Sequence, residues 1–185
     1  MDEMMPQTAT GKVLWHFSMS LDGYVAGPQH SMDWLAGTVD RAGLEDEYIS
    51  TTGAILGGRD GHDAFLDVEA YGGAWAGPEF VLTHHPEDAV PKAGTTFLDC
   101  DVVEALQVAK DAAGGKNVEV LSASIGRQLL ERGLIDEIDL HIAPVLLGDG
   151  VRLYDNPGGA PIPLELLIGS EPKLAVSVRY RPVRA

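Results

Sequence analysis

Hydrophobic positions along this chain switch between a two-residue and a helical period. KVLWHFS (12–18) is rich in β-branched and aromatic residues and predicts a strand, and the glycine-punctuated stretch from there to Trp34 predicts a long loop. Asp40 is expected to cap a helix running to about Thr51, in which Leu44 and Tyr48 share the buried face. GAILGG (53–58) and EFVLT (79–83) are short apolar runs that end in glycine-rich or polar turns, as buried strands do. Thr95 to Leu98 predicts a further strand. A helix follows from about Val102 to Ala113, opened by the D-x-x-E pair Asp101 and Glu104 and closed by Gly114-Gly115. VEVL (118–121) is the next strand, and the helix from Ile125 to Arg132 ends at Gly133, with Leu134 placed for the apolar contact that accompanies such endings. Strands over about Glu137 to Leu146, Leu164 to Ser170 and Lys173 to Arg181 complete the chain, the last alternating through Leu174, Val176, Val178 and Tyr180. Strand and helix in alternation, then strands alone, predict an α/β domain with a mixed sheet.

At 185 residues the chain fits one domain, with residues 1–11 expected as a flexible N-terminal extension. Its 28 acidic and 13 basic residues give a net charge of -15, which repels a nucleic-acid backbone, and no Lys/Arg cluster offsets it. Cys100 is the only cysteine, so an intrachain disulfide or a cysteine-rich metal site is excluded and a reducing cytoplasm is expected. No apolar run is as long as a membrane span, and MDEMMPQTATGK lacks the basic and apolar regions of a signal peptide. The apolar C-terminal strands would make poor exposed edges, which predicts a homodimer.

Candidate chemistry gathers at the strand ends. Gly57-Gly58-Arg59 would let a ligand approach the backbone while the guanidinium forks onto a phosphate, although a surface arginine after a turn fits equally well. Leu82-Thr83-His84-His85 places a hydroxyl and imidazoles at another strand end. Ser122-Ala123-Ser124 puts small residues where a strand hands over to a helix, whose free N–H groups and positive dipole end suit an anion; the alternative is that Ser124 is simply an N-cap. Three such turns could converge on one phosphorylated cofactor at the carboxyl ends of the strands. The histidines form no metal signature, and His16 and His141, inside strands, read as packed or solvent-facing. Neither a G-x-S-x-G elbow nor a Walker P-loop nor a G-x-G-x-x-G fingerprint is present.

SMSLDGYVAGP (18–28), AILGGR (54–59), FVLTHHP (80–86) and VLSASIGRQLLERGLIDEIDLHIAPVLLGDGVRLYD (120–155) resemble the dihydrofolate-reductase-like superfamily, and within it bacterial relatives of the reductase domain at the C-terminus of the bifunctional riboflavin-biosynthesis deaminase-reductase. The resemblance implies a three-layer fold with a mixed, mostly parallel sheet flanked by helices and a C-terminal antiparallel hairpin. It also implies NADPH-dependent reduction of a pyrimidine or pterin-like heterocycle. On it, Asp22 and Gly23 belong to a mobile loop over the nicotinamide, with Asp22 the first choice for a substrate contact and a turn role its alternative. Gly57, Gly58, Arg59, Leu82, Thr83 and His84 would bind the pyrophosphate and adenosine phosphate, and Ser122, Ala123, Ser124, Ile125 and Gly126 form the phosphate turn. Three departures stand out: Ser122 in place of glycine, Gly61 where a phosphate-binding hydroxyl is usual, and His84 where an arginine often selects NADPH over NADH. Dihydrofolate reduction, a deazaflavin in place of NADPH, and a binding protein without turnover are the alternatives.

Overall fold

The computed structural model describes residues 6–38, 40 and 42–167. Six strands form one sheet in the order β5-β4-β3-β6-β1-β7: β1 (Val13–Ser20), β3 (Thr52–Gly58), β4 (Glu79–Leu82), β5 (Thr95–Leu98), β6 (Asn117–Leu121) and β7 (Glu137–Ala143). Every neighbouring pair is parallel. The chain steps outward from β3 to β5, returns through a helical crossover to insert β6 between β3 and β1, and then adds β7 at the opposite edge. The order therefore reverses around β6, where a doubly wound sheet opens a crevice beyond its strand ends. A separate antiparallel pair joins β2 (Tyr24–Ala26), inside the stretch that the sequence predicts as a long loop, to β8 (Val151–Arg152).

Strand alternation gives this sheet two unlike faces. Val13 and Trp15 of β1, Ala54 and Leu56 of β3, and Val118 and Val120 of β6 point to one side. There they pack against Val102, Ala105, Leu106 and Ala109 of α3 (Val102–Ala112) and Ile125 and Leu129 of α4 (Ala123–Glu131). The other side is mostly polar. Leu14 packs against Leu44 and Tyr48 of α1 (Leu44–Thr51), but His16, Glu119, Asp139 and His141 share that face with it.

The helices begin and end for local reasons. Asp101 caps α3, its carboxylate accepting from the Val103 and Glu104 amides at 2.7 and 3.1 Å. α4 is capped by Ser122, one position before the helix, and not by Ser124. Its end is a Schellman turn: Gly133, at φ +69°, and Leu134 donate to the Leu130 and Leu129 carbonyls, both at 2.9 Å. α1 starts at Leu44 after Gly43, whose φ is +78°, so Asp40 lies outside the helix and caps nothing. Residues 6–11 are not a loose extension. Asn117, fully buried, accepts from the Thr10 and Lys12 amides and donates to the Thr8 carbonyl. Gln7 reaches Glu137 and Asp139 at 2.9 and 3.1 Å. Residues 164–167 are irregular rather than the start of a strand, and the rest of the expected C-terminal strands and hairpin lies outside the described residues.

Gly126 explains itself through packing. A Cβ there would fall inside the indole of Trp15, whose Nε1 donates to the Ser122 carbonyl at 3.1 Å and so ties β1 to the start of α4. Gly126→Ala should therefore destabilise the fold by about 1–3 kcal/mol through overpacking. Urea unfolding checks this; an unchanged midpoint would show that Trp15 can move aside without cost.

Candidate functional site

The carboxyl ends of β3, β4 and β6 open into a cleft of about 760 Å³. Gly57, Gly58 and Arg59 line it from the end of β3, Leu82, Thr83 and His84 from the end of β4, and Ser122, Ala123, Ser124 and Ile125 from the start of α4. The three strand-end turns thus meet in one cavity, of a size that suits a small-molecule ligand. Ala123 and Ser124 stand in the first turn of α4, where amides have no intrahelical acceptor. Ser122 Oγ accepts from Ile125 N at 3.4 Å and lies 3.3 Å from Ser124 Oγ. A Cβ on Gly58 would come within 3.0 Å of Ser122 Oγ, so glycine keeps open the gap between the end of β3 and the helix start. Gly61 of α2 (Arg59–Ala64) also lines the cleft, and a Cβ there would meet only open space.

Arg59 is less available than its position in sequence suggests. Its Nε donates to both Asp63 oxygens at 2.7 Å, Nη1 to the His85 carbonyl at 3.1 Å and Nη2 to the Asp88 carbonyl at 2.7 Å. The guanidinium thereby clamps the loop after β4 against α2. His84 projects from that loop, largely exposed, with Nδ1 3.7 Å from Asp99. An acidic neighbour at that distance makes this edge of the cleft less cationic than an arginine would.

Three residues expected at the site lie outside the cleft lining: Gly126, turned to Trp15, and Asp22 and Gly23. Asp22 accepts from the Ser20 hydroxyl at 2.7 Å and from the Leu147 and Gly148 amides at 3.0 and 2.7 Å. The Ser20 hydroxyl and these two amides pull its carboxyl down from the ordinary 3.8 to about 2. Gly23, at φ +91°, makes the tight turn that Asp22 fastens. The geometry makes Asp22 a fastener between the β1–β2 turn and the loop after β7, in place of the substrate contact expected from sequence.

A second chamber of about 520 Å³ adjoins the cleft; His16, Ser18 and Tyr71 line both. Its floor carries Tyr48 and His141, and its mouth Asp40, Glu45 and Asp46. Beneath lies a hydrogen-bonded chain that sequence reading missed. Glu119, fully buried in β6, accepts from the Tyr71 hydroxyl at 2.6 Å and from the Thr52 hydroxyl, and lies 3.3 Å from His16 Nδ1. His16 Nε2 faces His141 Nε2 at 3.0 Å. The His16 ring stacks on Tyr48, centroids 3.9 Å apart, and the Tyr48 hydroxyl donates to Asp139 while lying 3.3 Å from His141 Nε2. Burial, reinforced by the adjoining carboxylates Asp139 and Glu119 respectively, pushes both the Tyr48 and the Tyr71 hydroxyls well above the ordinary tyrosine range, so both remain donors.

The chain matches the family model described as RibD C-terminal domain over residues 11–167. Curated proteins returned no match. Among solved structures it is similar to a protein of Shewanella sp. PV-4 described as a riboflavin biosynthesis protein, with 24% identity and a TM-score of 0.63 over 80% of this chain and 85% of that one. It is also similar to RibD of Acinetobacter baumannii, with 20% identity and a TM-score of 0.59 over 85% of this chain and 54% of that one. Dihydrofolate reductase from Enterococcus faecalis, complexed with NADP(H), matches at 13% identity and a TM-score of 0.58 over 80% of each chain. These likenesses show the dihydrofolate-reductase-like fold.

Asp22 carries a pH dependence whose sign follows from its lowered value. The fastening is present above the unfolded carboxyl's 3.8 and is lost as pH falls through about 2. Hydrogen exchange should find the Leu147 and Gly148 amides protected at neutral pH, and exposed by acid or by Asp22→Ala. Equal protection in the variant would remove the fastening role.

Proposed function

This chain belongs to the RibD C-terminal domain family, and from that premise we propose that it is an NADPH-dependent reductase of the riboflavin-biosynthesis type, acting on a ribosylaminopyrimidine or a related small heterocycle. The observation that carries this reading is the meeting of three small or polar strand-end turns in one cleft that shares a wall with a second chamber. The cleft fits the cofactor in its chemistry. Amides at the start of α4 and the Gly57–Gly58 backbone offer donors and close approach to a pyrophosphate, and the gap that a Gly58 side chain would fill is open. Thr83 and His84 would lie toward the adenosine end. NADPH, when bound, supplies a hydride.

This chain's own residues then have distinct duties. Ser122 caps α4 and keeps its first turn in place for the anion, so the departure from glycine is accommodated by a capping role. Arg59 acts by holding the loop that carries His84 and His85. The second chamber, reached past His16, Ser18 and Tyr71, would receive the heterocycle. Dihydrofolate reduction is the second reading, favoured by Glu45 and Asp46 at the chamber mouth, where a carboxylate could meet a pterin ring. The pairing of His84 with Asp99 lowers the expected preference for NADPH over NADH. We also propose a homodimer, supported by Leu146, Leu164 and Leu167, each about two-thirds exposed on the described part of the chain.

Calorimetric titration tests the reading. NADPH should bind the wild-type chain, Gly58→Ala should weaken it about tenfold, equivalent to about 1.4 kcal/mol, and Ser122→Gly should change it by less than about 1 kcal/mol. No binding in the wild type with clear binding in Ser122→Gly would leave a protein that has abandoned the cofactor. NADPH oxidation with the phosphorylated ribosylaminopyrimidine or with 7,8-dihydrofolate then separates the two substrate readings. For the dimer, sedimentation at micromolar concentration should show a species of twice 19.7 kDa; a monomer alone would count against it.

A further inference from the structure

We propose that the smaller chamber selects against anionic groups, so that the substrate it receives is an uncharged or cationic heterocycle with no phosphate at the end that faces its mouth. The proposal rests on the reading of this chamber as the substrate site and narrows the class of substrate that enters it.

The residues around the chamber supply negative charge and little to offset it. Asp40, Glu45 and Asp46 stand at the mouth, all exposed. Two more carboxylates lie beneath the floor, Glu119 in β6 and Asp139 in β7, both buried. Among the described residues no lysine or arginine lines the chamber. Counting Arg41, which lies outside them, segment 40–47 still holds four acidic residues against one basic. His16 faces Glu119 through Nδ1, so a charge on that ring would be balanced within the floor. The tyrosine hydroxyls that could donate to an anion are committed, Tyr48 to Asp139 and Tyr71 to Glu119. One feature does favour anions: Leu44, Glu45 and Asp46, in the first turn of α1, line the chamber, and a helix N-terminus carries about half a positive charge. Three carboxylates at the same mouth outweigh it, and Glu47 adds another to that turn.

The larger cleft is built differently. It too is lined by carboxylates, Asp60, Glu69 and Glu79, but Arg59 and Lys92 stand among them, and the start of α4 and the open Gly57–Gly58 backbone offer amides and close approach. Groups suited to phosphate therefore gather on the cofactor side of the wall that Tyr71 shares with both spaces. A phosphate monoester, with a charge of about −1.5 to −2 near neutral pH, would meet like charge at the chamber mouth. A ring bearing amino, carbonyl or hydroxyl groups meets no such repulsion, and about 520 Å³ holds such a ring with a sugar attached.

Calorimetric titration of the full-length protein in excess NADP+ tests the selection. The ligands are the ribosylaminopyrimidine in its phosphorylated and dephosphorylated forms, and 6-hydroxymethyl-7,8-dihydropterin with and without a phosphate ester. Within each pair the phosphate is the only difference. In a pair whose ring binds, the form without phosphate should bind about tenfold more tightly. In Glu45→Gln/Asp46→Asn that preference should shrink to about threefold or less, and about 0.5 M salt should shrink it in the wild type, because exposed charges are screened. The salt series decides the matter even if the variant fails to fold. Equal or tighter binding of the phosphorylated form overturns the proposal, as does a preference that neither salt nor the variant changes. Selective binding with no NADPH oxidation by any of the ligands removes the reductase reading and leaves the charge selection standing. Failure of every ligand to bind removes the chamber as the substrate site, and the proposal with it.

Discussion

Everything in this molecule depends on the alternation of side chains along β1 and β6, the two strands at the reversal of the sheet. Trp15 and Val120, paired in register, lie on one side, and His16 and Glu119 lie on the other. A one-residue slip of either strand would drive Glu119 into the apolar layer and Val120 into the polar one, at a cost of several kcal/mol for the unpaired carboxylate alone. The register is therefore fixed by both faces at once. Asn117, at the head of β6, secures it further by binding the segment that leads into β1.

The apolar face sets the position of the cleft. Ile125 and Leu129 seat α4 on the sheet, Gly126 lets Trp15 come against the helix, and the Trp15 indole holds the Ser122 carbonyl. Burying side chains of this size stabilises by about 1.5–3 kcal/mol each. That is enough to hold a helix whose first turn must stand beside the end of β3 with only a glycine's clearance. The place of α4's first turn at the cleft is thus set by core packing on the side facing away from the second chamber.

Much of this was legible in sequence, for reasons that differ by element. α3 was read to within a residue because Asp101 and the Gly114-Gly115 pair mark its limits chemically. The turns at Gly57-Gly58, Leu82-Thr83 and Ser122-Ala123-Ser124 were legible as strand ends because glycine and polar residues interrupt the apolar runs there, and they meet in one cleft. α1 was misread at its start: an aspartate looked like the cap, whereas the chain enters through Gly43 in the left-handed region with no side-chain cap. Glu119 was hidden because a carboxylate alternating with valines in VEVL has the pattern of a half-exposed strand. What buries it is Tyr71, 48 residues earlier. His16 and His141 lie 125 residues apart and become a pair only through the parallel pairing of β1 with β7.

The polar face is costly enough to require its own account. Tyr71 holds a φ of +52°, a region that side-chain-bearing residues rarely adopt and that costs about 1–3 kcal/mol. Its hydroxyl donates to Glu119, and the donors on Glu119 in turn make a buried carboxylate tolerable. Neither feature stands alone: without Tyr71, Glu119 loses a donor and the wall between the chambers, and without Glu119 the strained turn loses the contact that holds it. Apolar residues of similar volume would commonly satisfy such a site at no loss of stability, or with a gain. The strained tyrosine, the buried carboxylate and the two facing imidazoles are therefore held by one another, where two chambers meet, and not by apolar packing.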